Sequence, residues 1–598
     1  KKGQGYLTYS VPTGATIDEA IDDLALMLTA GRLSTTNRGI IRNAIENEYN
    51  SGDKSKAIRI AQQLFLATPE FHTWGSLHSN TGVPRQMEGY TELPSHSYKS
   101  VVFFFMGGGV DSYNMIVPTG GCSDKNMYDE YAEARGSLAI LKDKLLPINV
   151  SGQRCSRFGI HPSFTFLQKL YNSGEANFFM NTGILSEPMT KADDWITKSK
   201  IRLFAHNHMT REQLALDPHD KNPGTGVGGR LLDMLKKNGY QTSGNTVDGS
   251  SLLNVGDSYY SNPTSTISAS GVSTIDQISS LPSNEMLRLV KLLNGQGDDA
   301  NSLLGDTWSE RLSQSLFEYE TALDIDQAIQ SGAFNMNGYP SRDSLDKQFL
   351  SVAQYMKSRQ MRKVDREVYV VGQGGYDMHG GLETLAGKFL QANNALFNFV
   401  NEMKKQGIWE DTVVIMGSDF GRSITPNSNG GSDHAWGGNY WMIGGGLNGG
   451  QVLGEYPEHL SEKSEYWVKR GRMIPTTPWD SIWNGVAEWM GVKGDRDLDF
   501  VLPNRVNFDK CTKMFSGHDL FLNVQPAPCI NDMDGDGVED SIDQCNDTEY
   551  WNGEPVNSNG CQNKQPPTTP KVSLNRLQDV SRYAFPSTKL TYKLSLIL

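Results

Sequence analysis

VVFFFMGGGVDSYN, residues 101–114, is the stretch on which the fold turns. Six apolar residues in a row leave no polar face, which suits a strand buried on both sides in a parallel sheet. Three glycines and an aspartate follow, so the strand opens at its C-terminal end into a place where backbone can come close to a ligand. The same texture recurs in ANFFMNTG (176–183), EVYVVGQGGYDMHG (367–380), TVVIMGSDFGR (412–422) and NYWMIGGG (439–446). Between these runs lie helical patterns: SFTFLQKLYNSG, NEMLRLVKLLNG, SERLSQSLFEYETALD, SLDKQFLSVAQYMKSRQ and LETLAGKFLQANNALFNFVNEMKKQG. Strands alternating with helices predict an α/β domain, a doubly wound, mostly parallel sheet covered on both faces.

Outward from that domain the texture changes. Residues 1–75 read as a small helical unit, with Thr16 as a cap and Gly31 as a stop, and 76–99 as a polar linker. The α/β domain is expected over 100–510, carrying at 241–282 a Ser/Thr/Gly-rich insertion of β or loop character. A loop-rich acidic region, 511–563, precedes a tail, 564–598.

Composition narrows the function classes. Of 598 residues, 37% are hydrophobic and 21% charged, which is enough to fill a core. A net charge of -13 supplies no attraction to phosphate backbones, so nucleic acid is not an expected partner. No run approaches the roughly 20 apolar residues that cross a bilayer, so no transmembrane segment is expected. The chain starts Lys1-Lys2 with no apolar leader, as a processed product or a fragment would. Four of the six cysteines fall after residue 510, where cross-links would replace a core, and this predicts disulfides and an oxidising, extracellular or cell-surface location. Asn149 and Asn546 begin glycosylation sequons.

Three strand ends collect polar groups: Asp111, then Asp377 and His379, then Asp419 with Asp433 and His434. One aspartate after a strand ordinarily caps a helix or closes a turn. Three such ends at one sheet edge are what a divalent cation needs, with Zn, Mn, Mg or Ca chosen by geometry. Arg422 beside them could clamp an anionic substrate or simply pin the carboxylates. His206, His208 and His219 lie together in AHNHMTREQLALDPH; a His-x-His pair on an extended segment would face one way, whereas solvated loop histidines are the ordinary alternative for His208 and His219.

VVFFFMGGGVDSYNMIVP, FGIHPSFTFLQKLYNSGEANFFMNTG, GTGVGGRLLDML, GGYDMHGG and SDFGRSITPNSNGGSDHAWGG, taken together, resemble the domain of unknown function 1501 family, a branch of the alkaline phosphatase and sulfatase superfamily. The resemblance spans about residues 100–460. It implies a two-metal site and hydrolysis of phosphate or sulfate esters. By motif, Asp377, His379 and His434 resemble one metal's ligands, and Asp111 and Asp419 the other's. Two departures stand out. Ala205 in LFAH replaces a serine common in the family, leaving His206, and Asp419-Phe420 stands where related metallohydrolases carry Asp-His. Ser112, Thr190 or Thr210 could supply a nucleophile, but their spacing singles out none of them. LTAGRLS and AQQLFLATPEF resemble the end of the domain of unknown function 1800 family, and a generic helical hairpin would read the same way.

DMDGDGVEDSIDQC (532–545) sets Asp532, Asp534, Asp536, Asp540 and Asp543 around two glycines. Such acids repel unless a cation joins them, and no glutamate stands at the twelfth position of an EF-hand loop. The ladder resembles a thrombospondin type 3 calcium repeat. By that resemblance Cys529, Cys545 and Cys561 belong to disulfides, with Cys511–Cys529 and Cys545–Cys561 the preferred pairs and Cys122–Cys155 completing the set; connectivity itself stays open. Two functions are compatible with these features. One is a secreted calcium-binding protein, weak or silent as a catalyst, used in surface assembly or adhesion, as a homo-oligomer or within a larger extracellular assembly. The other is a metal-dependent phosphate or sulfate ester hydrolase.

Overall fold

Val101, Val102, Phe103 and Phe104 have no exposed surface, because β1 (Lys99–Met106) runs between two parallel neighbours. This is a computed structural model that describes residues 9–73, 96–257 apart from 124 and 248, 265–267, 283–295, scattered positions from 304 to 338, 339–526, 529, 530, 532, 538–545 and 556–561. The sheet continues with β2 (Ala176–Gly183), β3 (Thr242–Val247), β4 (Ser265–Ile267), β5 (Arg366–Gln373), β6 (Thr412–Ser418), β7 (Gly438–Gly444), β8 (Gln451–Gly454) and β9 (Thr477–Pro478). Its order is β8-β2-β7-β6-β1-β5-β3-β4, with β9 also paired to β2. All neighbours are parallel except β7, which runs against both β2 and β6. Mixed α/β architecture on a mainly parallel sheet is therefore the observed class.

Register explains where the loops go. Met106 stands opposite Gln373 on one side and Ser418 on the other, so β1, β5 and β6 end level. Their following loops, which carry Asp111, Asp377 and Asp419, leave the sheet at one rim.

Helices cover the sheet with apolar faces. Helix Leu385–Gln406 buries Phe389, Leu396, Phe399 and Met403, and helix Trp479–Met490 buries Trp479, Trp483 and Trp489. Within the 241–282 stretch, β3 is a full member of the sheet, paired in parallel with β5. Ser and Thr are tolerated there because strand pairing uses backbone groups, and Thr is itself a good strand former.

A second compact unit takes in described residues of the stretches 9–73 and 283–324. Helices Ile17–Thr29, Thr35–Asn50 and Lys54–Leu66 pack Ile21, Leu24, Ile41, Ile45, Leu64 and Phe65 together. Thr16 caps the first helix in a reciprocal box with Glu19. Helix Ser283–Gly295 adds Met286, Leu289, Val290 and Leu293 to this same core, which periodicity alone does not reveal. Cys122–Cys155, Cys511–Cys529 and Cys545–Cys561 are disulfide-bonded. No helix among the described residues is long and apolar enough to cross a membrane. Most of the 76–99 linker, most of SERLSQSLFEYETALD, the 564–598 tail, Asp534, Asp536 and Asn546 lie outside the described residues.

One buried carboxylate gives the fold a pH signature. Asp480 opens helix Trp479–Met490 and is 2% exposed; Asn504 Nδ2 donates to its Oδ2 at 3.3 Å, while Oδ1 has no partner. Burial pushes this carboxyl up to about 7 against the weaker pull of Asn504. A folded pKa above the unfolded one means that its stabilisation is complete below about pH 4 and is lost as pH rises through about 7. Asp480→Asn should therefore gain stability relative to the parent between about pH 5 and 8, by on the order of 2–4 kcal/mol. Paired thermal melts across that range check it, and a pH-independent difference would count against the assignment.

Candidate metal centre

Beyond β6 the chain forms a two-stranded hairpin, Arg422–Pro426 against Ser432–His434, with Arg422 opposite His434. Backbone bonds fasten this hairpin to the other rim loops: Ser432 N–H donates to the Met378 carbonyl at 3.1 Å, and bridges join Val110 to Gly421 and Gly380 to Gly430. Gly108 makes the close approach feasible. Its φ is +118°, and a Cβ there would fall 2.5 Å from the Asp377 backbone nitrogen.

Three side chains converge on this rim. His206, Asp377 and His434 each present one ligand atom, all within 4.8 Å of one another. His434 Nε2 is 3.1 Å from Asp377 Oδ1, and His206 Nε2 is 3.5 Å from Asp377 Oδ2. His379 flanks them, its Nε2 2.8 Å from His434 Nε2 and 3.1 Å from Asp377 Oδ1.

Each of these side chains is held from behind. His434 Nδ1 faces the Phe204 carbonyl at 2.9 Å, which leaves Nε2 without the proton. Phe204 can aim that carbonyl because its backbone is left-handed, φ 63°. Asp419, 4% exposed, takes His206 Nδ1 on Oδ2 at 2.7 Å and the Gly108 N–H on Oδ1 at 2.7 Å. This carboxylate–imidazole pair fixes the ring that presents Nε2. Arg422 has no exposed surface and donates Nη1 to Asp377 Oδ1 at 2.8 Å and to the Gly108 carbonyl at 3.1 Å, and Nε to the Ser432 carbonyl at 3.1 Å. Of the two roles open to Arg422, its bonds match the pinning of carboxylates.

Electrostatics favour a cation. Burial works to raise the Asp377 carboxyl, but the Arg422 guanidinium, with His434 and His379, holds it down at about 2. Burial pushes the His434 imidazole below its ordinary range, against the Phe204 carbonyl and Asp377. Asp377 is thus held as an anion beside a His434 ring biased toward its neutral form, and both biases suit metal binding. His206 Nε2 is buried with no hydrogen-bond partner, and the facing His379 and His434 nitrogens cannot both present lone pairs to each other without cost. A divalent cation among these N and O donors fits the residues present, and a set of two histidines and one carboxylate with an open position is a familiar arrangement for zinc.

Other predicted residues are placed differently. Asp111, 1% exposed, accepts on Oδ2 from Arg135 Nη2 at 2.7 Å and from Ser432 Oγ at 2.9 Å, and is not among the three converging groups. His206 and His208 lie on helix His206–Ala215, so a two-residue spacing turns their rings apart, whereas an extended segment would have aligned them. His219 is exposed, with Nε2 3.2 Å from Asn507 Nδ2. Ser112 Oγ is buried and accepts the Asn439 N–H at 2.8 Å, and Thr190 Oγ1 lies 3.3 Å from Asp193 Oδ2. In the acidic region, the Asp532 carbonyl accepts from Asp495 N–H at 2.9 Å and Asp543 Oδ1 from Cys545 N–H at 2.7 Å. Asn149 is exposed at the end of strand Leu146–Asn149. The Phe204 carbonyl escapes sequence reading altogether, since any residue type could supply it.

No curated protein matches the chain. Among solved structures it is similar to Ps i-CgsB in complex with a neocarrahexaose (10% identity, 68% of this chain and 74% of that one, TM-score 0.29). It is also similar to the lipoteichoic acid synthase LtaP from Listeria monocytogenes (10%, 72% and 79%, TM-score 0.28). A third is a structure from the study of glycosaminoglycan metabolism by Bacteroides thetaiotaomicron (12%, 74% and 81%, TM-score 0.29). Residues 98–477, more than half of the sequence, match the family described as Protein of unknown function (DUF1501), and the chain belongs to that family.

Proposed function

We propose that this is a secreted metal-binding protein on an alkaline phosphatase- and sulfatase-like domain, weak or silent as an ester hydrolase and used in surface assembly or adhesion. In this reading one divalent cation lies between His206, Asp377 and His434 with His379 beside it, and calcium stiffens the ladder from Asp532 to Asp543. The observation that carries the weak-catalyst reading is the state of Asp111 and Asp419. Protein partners take oxygens of both carboxylates expected at a second cation, Arg135 and Ser432 on Oδ2 of Asp111, whose Oδ1 has no partner, and His206 and Gly108 on the two oxygens of Asp419. Ala205 adds to this, because a methyl group can neither attack an ester nor coordinate a metal. Three disulfides suit an oxidising compartment.

The hydrolase reading keeps one specific support: the Asp419–His206 pair is built as a ligand and its orienting carboxylate. A divalent cation held there would supply Lewis acidity toward an ester oxygen. Arg422 would keep Asp377 ionised and Asp419 would keep the His206 ring in place. Metal analysis after extensive dialysis, together with assays on aryl phosphates and aryl sulfates, separates the two. About one equivalent of transition metal with no turnover is expected; metal with robust turnover would establish the hydrolase instead.

A further inference from the structure

With Arg422 committed to the protein, an exposed guanidinium, that of Arg470, remains in contact with the centre's surroundings. Arg470 is the middle residue of the turn linking Trp467–Val468 to Arg472–Met473, and its side chain is 72% exposed. Its Nη1 lies 3.3 Å from Asp433 Oδ2, and Asp433 Oδ1 lies 3.4 Å from His379 Nδ1. Arg470 is therefore one carboxylate away from the imidazoles.

The turn is built to put it there. Arg470 adopts φ 65°, ψ 30°, a left-handed conformation that glycine or asparagine takes more readily. Gly471 follows at φ +70°, and a Cβ on it would fall 2.7 Å from the Thr425 backbone nitrogen, so the turn seats tightly on strand Arg422–Pro426. Arg472 is anchored on the other side, Nε donating to the His434 carbonyl at 2.7 Å and its guanidinium over the Phe204 ring at 4.4 Å. Two guanidiniums thus flank the strand that carries His434, and only Arg470 is left largely in water. Like charges so placed favour an anion between the turn and the cation centre.

We propose that Arg470 receives the anionic group of a ligand entering the centre, phosphate or sulfate in class, exchanging its contact with Asp433 for the ligand's oxygens. This rests on the cation reading above. Asp433, whose Oδ1 accepts from Asn427 Nδ2 at 3.1 Å and whose Oδ2 faces Arg470, keeps the arm docked until the ligand arrives.

The test uses the full chain loaded with zinc, its metal content measured first, and isothermal titration with inorganic phosphate and inorganic sulfate. Arg470→Asn, which suits the left-handed turn, should weaken binding of the preferred anion at least tenfold with metal content unchanged, and Arg470→Lys should recover part of the loss. Zinc-loaded parent and Arg470→Asn proteins with equal affinities, or a zinc-loaded parent that binds neither anion, would overturn the inference and leave the cation reading intact. A parent that retains no metal would overturn both.

Discussion

Asp377→Ala is expected to strip the cation from the α/β domain, weakening its retention about 100-fold or more, while calcium bound in the C-terminal ladder is unaffected. Asp377 is the oxygen donor on which His206, His379 and His434 converge, and Arg422 holds it as an anion. The substitution also removes the acidic partner of a buried guanidinium, so part of the loss could be blamed on unfolding. His434→Ala answers that objection. It leaves the Asp377–Arg422 pair in place and should lose metal with a smaller drop in melting temperature. Metal content by mass spectrometry and melting curves on both variants supply the readouts; normal occupancy in either would refute the assignment of that residue.

The second large effect lies one layer deeper. Arg135→Met should destabilise the α/β domain by about 3–5 kcal/mol, because Asp111 would keep its charge inside the protein with only Ser432 to answer it. Arg135 also donates Nη1 to the Ser423 and Ile424 carbonyls at 3.1 Å each, so the hairpin that carries His434 loses two ties. Combining Arg135→Met with Asp111→Leu should restore much of the stability, since no uncompensated charge remains. Denaturant melts of the single and double variants test this. If Arg135→Met cost less than about 1 kcal/mol, Asp111 would be free for other duties, including the second cation position that its motif suggests.

How far the sequence reached can be judged at particular residues. The strand VVFFFM was legible because burial on both faces forbids polar alternation, and the level ends of β1, β5 and β6 follow from parallel pairing of three such runs. Asp377 and His434 were legible for a related reason: acids and imidazoles after buried strands share a rim. The fate of Asp111 was not, because nothing local to DSYN signals that Arg135 lies 2.7 Å away. Asp419 illustrates a subtler limit. Its position at the rim was readable, but whether a carboxylate is left open to a cation or holds a neighbouring imidazole depends on what its two oxygens meet, here His206 and Gly108. His206 and His208 turned apart for a simple reason. The helix begins at His206 itself, with Ala205 as a cap that offers no side-chain bond, so the usual sequence sign of a helix start is missing.

The central claim is one cation shared by His206, Asp377 and His434. Anomalous diffraction from crystals of the zinc-loaded protein tests it most directly. A single strong peak is expected within bonding distance of His206 Nε2, a carboxylate oxygen of Asp377 and His434 Nε2. No peak there, or a peak bonded to Asp111, would contradict it.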